Sequence, residues 1–325
     1  MASVVRLGLA ALLVAALAHC LWANNTGGES RSILFRATHI LLVHIESADP
    51  GEWSVPDHLV RTRTNALRLR WEKTLKGKVS FDTVVISVKQ SEPAIPRRFA
   101  VPGVWSGKRL ASGEQYLVFA NSRSTNAGVI LQETSTLEVL EAEQALIDVE
   151  LALDSERGHW TLSQAVAHAR DRSGSLGPLF AQYLATRLAR LPSTNVVEFD
   201  AVMAFVEAPA LSSRFRQVLL SEVYANSLMN DPVPDKFAAR LAVASFHILA
   251  RPDAGPWRED LISTLLPNLV GLKGGARKQT AADVFRDFPA DREKAEQILT
   301  ADTAPAAAYL LHWLRQTSGP TPGKR

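Results

Sequence analysis

Cysteine is nearly absent from this chain of 325 residues, with Cys20 the only one. Cleavage after Ala23 would leave a mature chain with no thiol at all. That removes a disulfide framework, a cysteine nucleophile and a thiolate zinc site from the mature domains. Metal-binding motifs are missing too: there is no His-Glu-x-x-His and no Asp-x-Asp-x-Asp loop for calcium. His39 and His44 are five apart on an expected strand, which puts them on opposite faces. His159 and His168 are nine apart in a helical region, about two and a half turns, which separates them as well. No metal and no other cofactor is expected.

Charge of one sign is also lacking. Thirty-six Lys and Arg stand against 33 Asp and Glu, for a formal net charge of +3 with no block of like charges. Nucleic acid therefore has no basic footprint to grip. Catalytic signatures are no better represented. Ser173-Gly174-Ser175-Leu176-Gly177 lacks the glycine spacing and the preceding strand of a nucleophile elbow, and reads as an inter-helix connection. Residues 271–278 carry Lys273, Arg277 and Lys278 among glycines, an arrangement able to hold a phosphate or carboxylate. They lack the Gly-Lys-Ser/Thr ending of a nucleotide loop, and an ordinary helix break is the preferred reading.

Long apolar runs are confined to the start. Arg6 precedes an apolar stretch over residues 7–18, with small residues following. A stretch of that length falls short of the roughly 20 residues that span a bilayer. Residues 1–23 are thus expected to be a secretory signal peptide, and the protein to be periplasmic or secreted with no transmembrane segment after cleavage. Leu17-Ala18-His19-Cys20 has the outline of a lipoprotein box, with His19 where a small residue is wanted. Lipid anchoring through Cys20 is the minority alternative.

What is present divides in two. Residues 66–71 alternate, with Leu67, Leu69 and Trp71 on one face and Arg68, Arg70 and Glu72 on the other, the period of a strand with one wet face. Residues 84–88 repeat the device with Val84, Ile86 and Val88, and Lys76-Gly77-Lys78 supplies a glycine for a tight connection with positive φ. Residues 116–120 are apolar throughout, as in a strand covered on both faces. Upstream, residues 33–45 are expected to hold a short helix or turn and a first strand with Ile40, Leu42 and Val43 in the core, followed by a turn at Asp49-Pro50-Gly51. Residues 90–113 form a long loop holding Arg97, Arg98, Trp105, Lys108 and Arg109, the expected binding residues.

From Leu137 onward the period changes. Val139, Ala142, Leu146, Val149 and Leu153 are three and four apart, and helical spacing continues to the end. Glu138 with Glu141 and Asp287 with Asp291 then form carboxylate pairs at helical spacing, the second more consistent with a cap at the Phe288-Pro289 break. The expected architecture is multidomain β + α. A small OB-like antiparallel β-barrel over residues 33–136 precedes an all-α bundle or short α-solenoid over residues 137–316 and a disordered tail over residues 317–325.

Three segments carry a resemblance: ATHILLVHIESADPG (37–51), ALRLRWEKTLKGKVSFDTVVISV (66–88) and SGEQYLVFANS (112–122). In this order they resemble the bacterial netrin-like, or tissue-inhibitor-of-metalloprotease-like, OB-fold domains. In that family a strand ending in a Lys-Gly turn is followed by a Val-rich strand and a Gly-Glu-x-Tyr-Leu-Val-Phe strand. The resemblance implies a barrel for the N-terminal half only. The cysteines often found in the family have no counterpart in this region, so the zinc-chelating inhibition that depends on an N-terminal cysteine is not carried over. The functional expectation is a non-catalytic binding protein for a protein or peptide partner of the cell envelope. The alternative is a cell-envelope hydrolase whose site is too scattered to recognise.

Overall fold

A computed structural model describes residues 33–53, 60–78, 83–93, 113–120, 123–125, 128–130, 136–191, 195–229, 235–270 and 279–316. The expected signal peptide, the tail, the glycine-rich residues 271–278 and all of Arg97, Arg98, Trp105, Lys108 and Arg109 lie outside them.

A short helix, α1 (Ile33–Arg36), leads into β1 (His39–Pro50), β2 (Val60–Lys76), β3 (Thr83–Pro93) and β4 (Gln115–Ala120). A small hairpin of β5 (Arg123–Thr125) and β6 (Gly128–Ile130) precedes β7 (Thr136–Glu141). The five long strands make one antiparallel sheet in the order β3-β2-β1-β4-β7. Edge strands β3 and β7 approach one another without a ladder between them among the described residues, so the sheet is open. Gly77 closes the end of β2 with φ +86°, as its place after Lys76 requires. β1 runs through Asp49 and Pro50, where a turn was expected, because both pair with β2.

The change of period at Leu137 marks a different event from the one expected. Residues 137–141 pair with β4, with Leu140 opposite Leu117 and Val139 opposite Val118, and the helix starts only at Ala142. Glu138 and Glu141 accordingly belong to a strand, and the helical pairing expected of them does not arise.

The remainder is mostly helical: α2 (Ala142–Arg157), α3 (Leu162–Ala169), α4 (Pro178–Leu188), α5 (Val196–Val206), α6 (Ser213–Met229) and α7 (Asp235–Leu249). Residues 258–269 follow as a helical segment containing a π-turn at Leu261–Leu265, and α8 (Ala281–Val284), α9 (Pro289–Thr300) and α10 (Pro305–Arg315) end the described chain. Alternate helices stack: α2 on α4 on α6 in one layer, α3 on α5 on α7 in the other. Burial in each layer is mainly apolar, with Phe199 of α5 stacked on Phe237 of α7 at 4.1 Å.

Local chemistry starts and stops these helices. Thr161 closes a capping box with Gln164 ahead of α3. Asp148, fully buried on α2, accepts from the amides of Gly177, Leu179 and Phe180 at 2.8, 3.0 and 3.1 Å and so caps α4 from a neighbouring helix. Burial pushes its carboxyl above the ordinary value, with those amides opposing the shift. Arg216, fully buried, donates to the carbonyls of Val206 and Ala208 past the end of α5 and to Asp253.

Two apolar clusters share the sheet. Leu41, Val43 and Ile45 of β1 join Leu67, Leu69, Tyr116, Val118 and Ala120 on one face. On the other, Ile40, Leu75, Leu117 and Phe119 belong to the same continuous cluster as the helices. The apolar character of β4 is explained: both of its faces are covered.

Candidate functional site

The edge of that covered face is where the sheet meets solvent. In the β1–β2 ladder Trp71 lies opposite Val43, so the alternation placing it with Leu67 and Leu69 holds. The residue is nevertheless 36% exposed. In the β2–β3 ladder the described pairing ends at Arg70 opposite Thr83, one residue short of Trp71. Beyond it β2 slips past β1 at two irregularities, opposite Leu42/Val43 and Ile40/Leu41. An extra residue in one strand turns the following side chains to the other face. Leu75 thereby enters the helical cluster.

A cleft of about 380 Å³ opens at this seam, lined by Lys73, Thr74 and Leu75 of β2 and by Glu150, Leu153, Asp154 and Arg157 of α2. Lys73 Nζ reaches Glu150 Oε1 at 3.2 Å across it, and Arg157 donates to the Leu75 carbonyl. Trp71 Nε1 donates to Thr74 Oγ1 at 3.0 Å, so the indole stands at the cleft margin. Farther along the sheet Glu72 takes His44 Nε2 at 2.6 Å and Gln115 Nε2 at 2.8 Å, and Arg68 pairs with Glu46 at 3.1 Å. The rim thus carries both signs of charge around one exposed aromatic ring.

The four histidines lie in separate surroundings. His39 is buried, with Nε2 at 3.1 Å from the Lys78 carbonyl, whereas His44 is partly exposed on Glu72. His159 sits between α2 and α3 at φ 50°, and His168 of α3 stacks on Trp160 at 4.0 Å. Among the described residues no group of three or more His, Cys, Asp or Glu could hold a metal ion.

Two polar clusters inside the helices escaped sequence reasoning. Tyr183 Oη of α4 lies 2.7 Å from Ser155 Oγ and 2.8 Å from Glu156 Oε1 and accepts from Arg187 Nη1 at 2.8 Å. Burial raises the phenol above its ordinary value. Ser155 is fully buried, so this network ties α2 to α4 and offers a substrate no entry to the hydroxyl.

In the second cluster His247 of α7 places Nδ1 at 3.1 Å from Glu207 Oε1 and Nε2 at 3.0 Å from Asp291 Oδ1. Arg240, one helical face along, bonds Glu207 at 2.6 Å, and Lys294 bonds Asp291 at 3.2 Å. The bond to Glu207 raises the imidazole above its ordinary value, helped by Asp291 and opposed by burial. Burial would raise both carboxyls, but the cations outweigh it and both end lowered. A general base needs one ring nitrogen facing the substrate. Here both are taken by carboxylates. Asp291, read as a cap, instead pairs with His247, and α9 has no side-chain cap bond at Phe288. The one sequence signal for this cluster was the seven-residue spacing of Arg240 and His247 along a largely apolar helix.

No protein-family model, no curated protein and no solved structure matches the chain. Among the described residues no helix is long and apolar enough to cross a membrane.

Proposed function

We propose that the chain is a non-catalytic binding protein of the cell envelope, exported by residues 1–23, that holds a protein or peptide segment at the seam between its sheet and α2. The observation that carries this reading is Trp71, which leaves 36% of its surface open at the margin of a cleft of about 380 Å³. Covering such a ring removes apolar area from water at roughly 25 cal/mol per Å². Tryptophan and arginine are also the residues on which interface energy concentrates. The mixed ion pairs of Lys73, Glu150, Asp154 and Arg157 suit a segment presenting backbone and both charges, rather than a polyanion.

The same reading extends to architecture. A five-stranded OB barrel results if the sheet edges β3 and β7 meet, and the netrin-like resemblance of the three strand segments supports that closure. The alternating stack of α2 to α7 is that of a short α-solenoid. The sheet would then cover its first helix.

The test is site-specific photo-crosslinking in the full-length protein in its native envelope. A photoreactive residue replacing Lys73 should give one discrete adduct, abolished by Trp71→Ala, while the same residue replacing exposed Tyr309 on α10 gives none. No adduct from position 73, or an adduct indifferent to Trp71→Ala, would remove the seam as the binding surface.

A further inference from the structure

We propose that His247 is a pH-operated clasp, which joins α5, α7 and α9 when its ring is charged and lets go of one of them when the ring is neutral. An imidazolium has two N–H donors, and here each faces a carboxylate: Glu207 at the end of α5 from Nδ1 and Asp291 in the first turn of α9 from Nε2. A neutral imidazole keeps one N–H only. Its other nitrogen then presents a lone pair to a carboxylate oxygen about 3 Å away. Loss of one proton therefore turns one of the two links from attractive to repulsive, whichever tautomer forms.

The surroundings decide which link fails. Glu207 keeps a second cation in Arg240, at 2.6 Å, and Arg240 is itself held near Asp200 at 3.6 Å and lies over the Phe288 ring. Among the described residues Asp291 keeps Lys294, an exposed lysine one turn along its own helix. The α9 side is the weaker, so α9 is the element released. Of the other elements packed on α7, α8 carries Asp283, which is already bound to Thr280 and Arg286, and the 258–269 segment carries Arg258, bound to Asp302 and the Leu249 carbonyl. Neither competes for the ring.

The direction with pH follows from these partners. A histidine held charged contributes stability in full below its ordinary value and loses it as pH rises through the raised one. The two lowered carboxylates contribute above their ordinary range and lose that only in acid. The clasp is consequently closed below the ordinary imidazole value and opens as pH rises through the raised one.

Hydrogen exchange of the full chain, corrected for the intrinsic pH dependence of exchange, tests this. Protection of the α9 amides should be lost progressively in the wild type as pH rises from roughly 6 to 9 and the ring gives up its proton. Asp291→Asn should remove that step, because a neutral ring can donate to Glu207 and accept from the new amide. His247→Gln should remove it as well. An unchanged step in either variant, or a flat profile in the wild type, would overturn the clasp. If His247→Gln does not fold, the Asp291→Asn profile and an NMR titration of the His247 ring decide the matter alone.

Discussion

Phe119 and Val118 are adjacent on β4 and serve different cores, which makes them a direct probe of how the sheet and the helices depend on each other. Phe119 is fully buried within the helical cluster, and Val118 within the opposite sheet face. A buried phenyl ring removing roughly 150 Å² from water contributes about 4 kcal/mol at 25 cal/mol per Å². Measured truncations of this kind cost about 3–5 kcal/mol, a large part of the roughly 5–15 kcal/mol that holds a typical domain. Phe119→Ala should therefore lower the urea midpoint of the helical circular dichroism and reduce exchange protection in α2 and α4, although it changes no helical residue. Val118→Ala should act first on protection in β1 and β2. If Phe119→Ala leaves the α2 and α4 amides at wild-type protection while weakening the strands, the sheet and the helices are energetically separate, and the packing of Ile40, Leu75, Leu117 and Phe119 on the helices carries no coupling.

Two other perturbations test single contacts. At Gly77 a Cβ would stand 2.4 Å from His39 Cδ2 with the backbone at φ +86°, so Gly77→Ala should cost about 2 kcal/mol or more in urea unfolding; a loss under about 0.5 kcal/mol would mean that the His39 ring moves freely. Asp148→Ala strips the acceptor from the Gly177, Leu179 and Phe180 amides and should cost about 3 kcal/mol, whereas Asp148→Asn keeps one oxygen and should lose roughly half of that. Because burial raises this carboxyl, its contribution is full below the ordinary carboxylate range and declines as pH climbs through the raised value. Asp148→Asn should therefore lack that decline in a series of melts at stepped pH.

The strands were legible where one face is wet, as in the alternation of Leu67, Arg68, Leu69 and Arg70, and where a turn needs glycine, as at Gly77. They were illegible at β7, because Val139, Ala142 and Leu146 happen to keep helical spacing across a strand-to-helix junction at Glu141. Helix α5 drew no notice for the opposite reason. Val196, Phe199, Val202, Met203, Phe205 and Val206 leave no single apolar stripe, since α5 is packed on both sides by α3 and α7. The His247 cluster is long-range by construction. Its carboxylates come from positions 207 and 291, on helices that only the stacking brings together.

The candidate surface lies where one strand is shared between two cores. A strand with strict period-2 alternation can serve one core only, and β2 must serve two, since Leu67 and Leu69 lie in the sheet cluster and Leu75 in the helical one. Six residues separate Leu69 from Leu75, an even spacing that regular pleating would leave on one face. The irregularities after Trp71 make the change of face possible. Trp71, the next residue with a core-facing side chain, belongs to neither cluster. An exposed indole at that point is what remains when one strand is divided between two cores, and the cleft beside it is the gap between them.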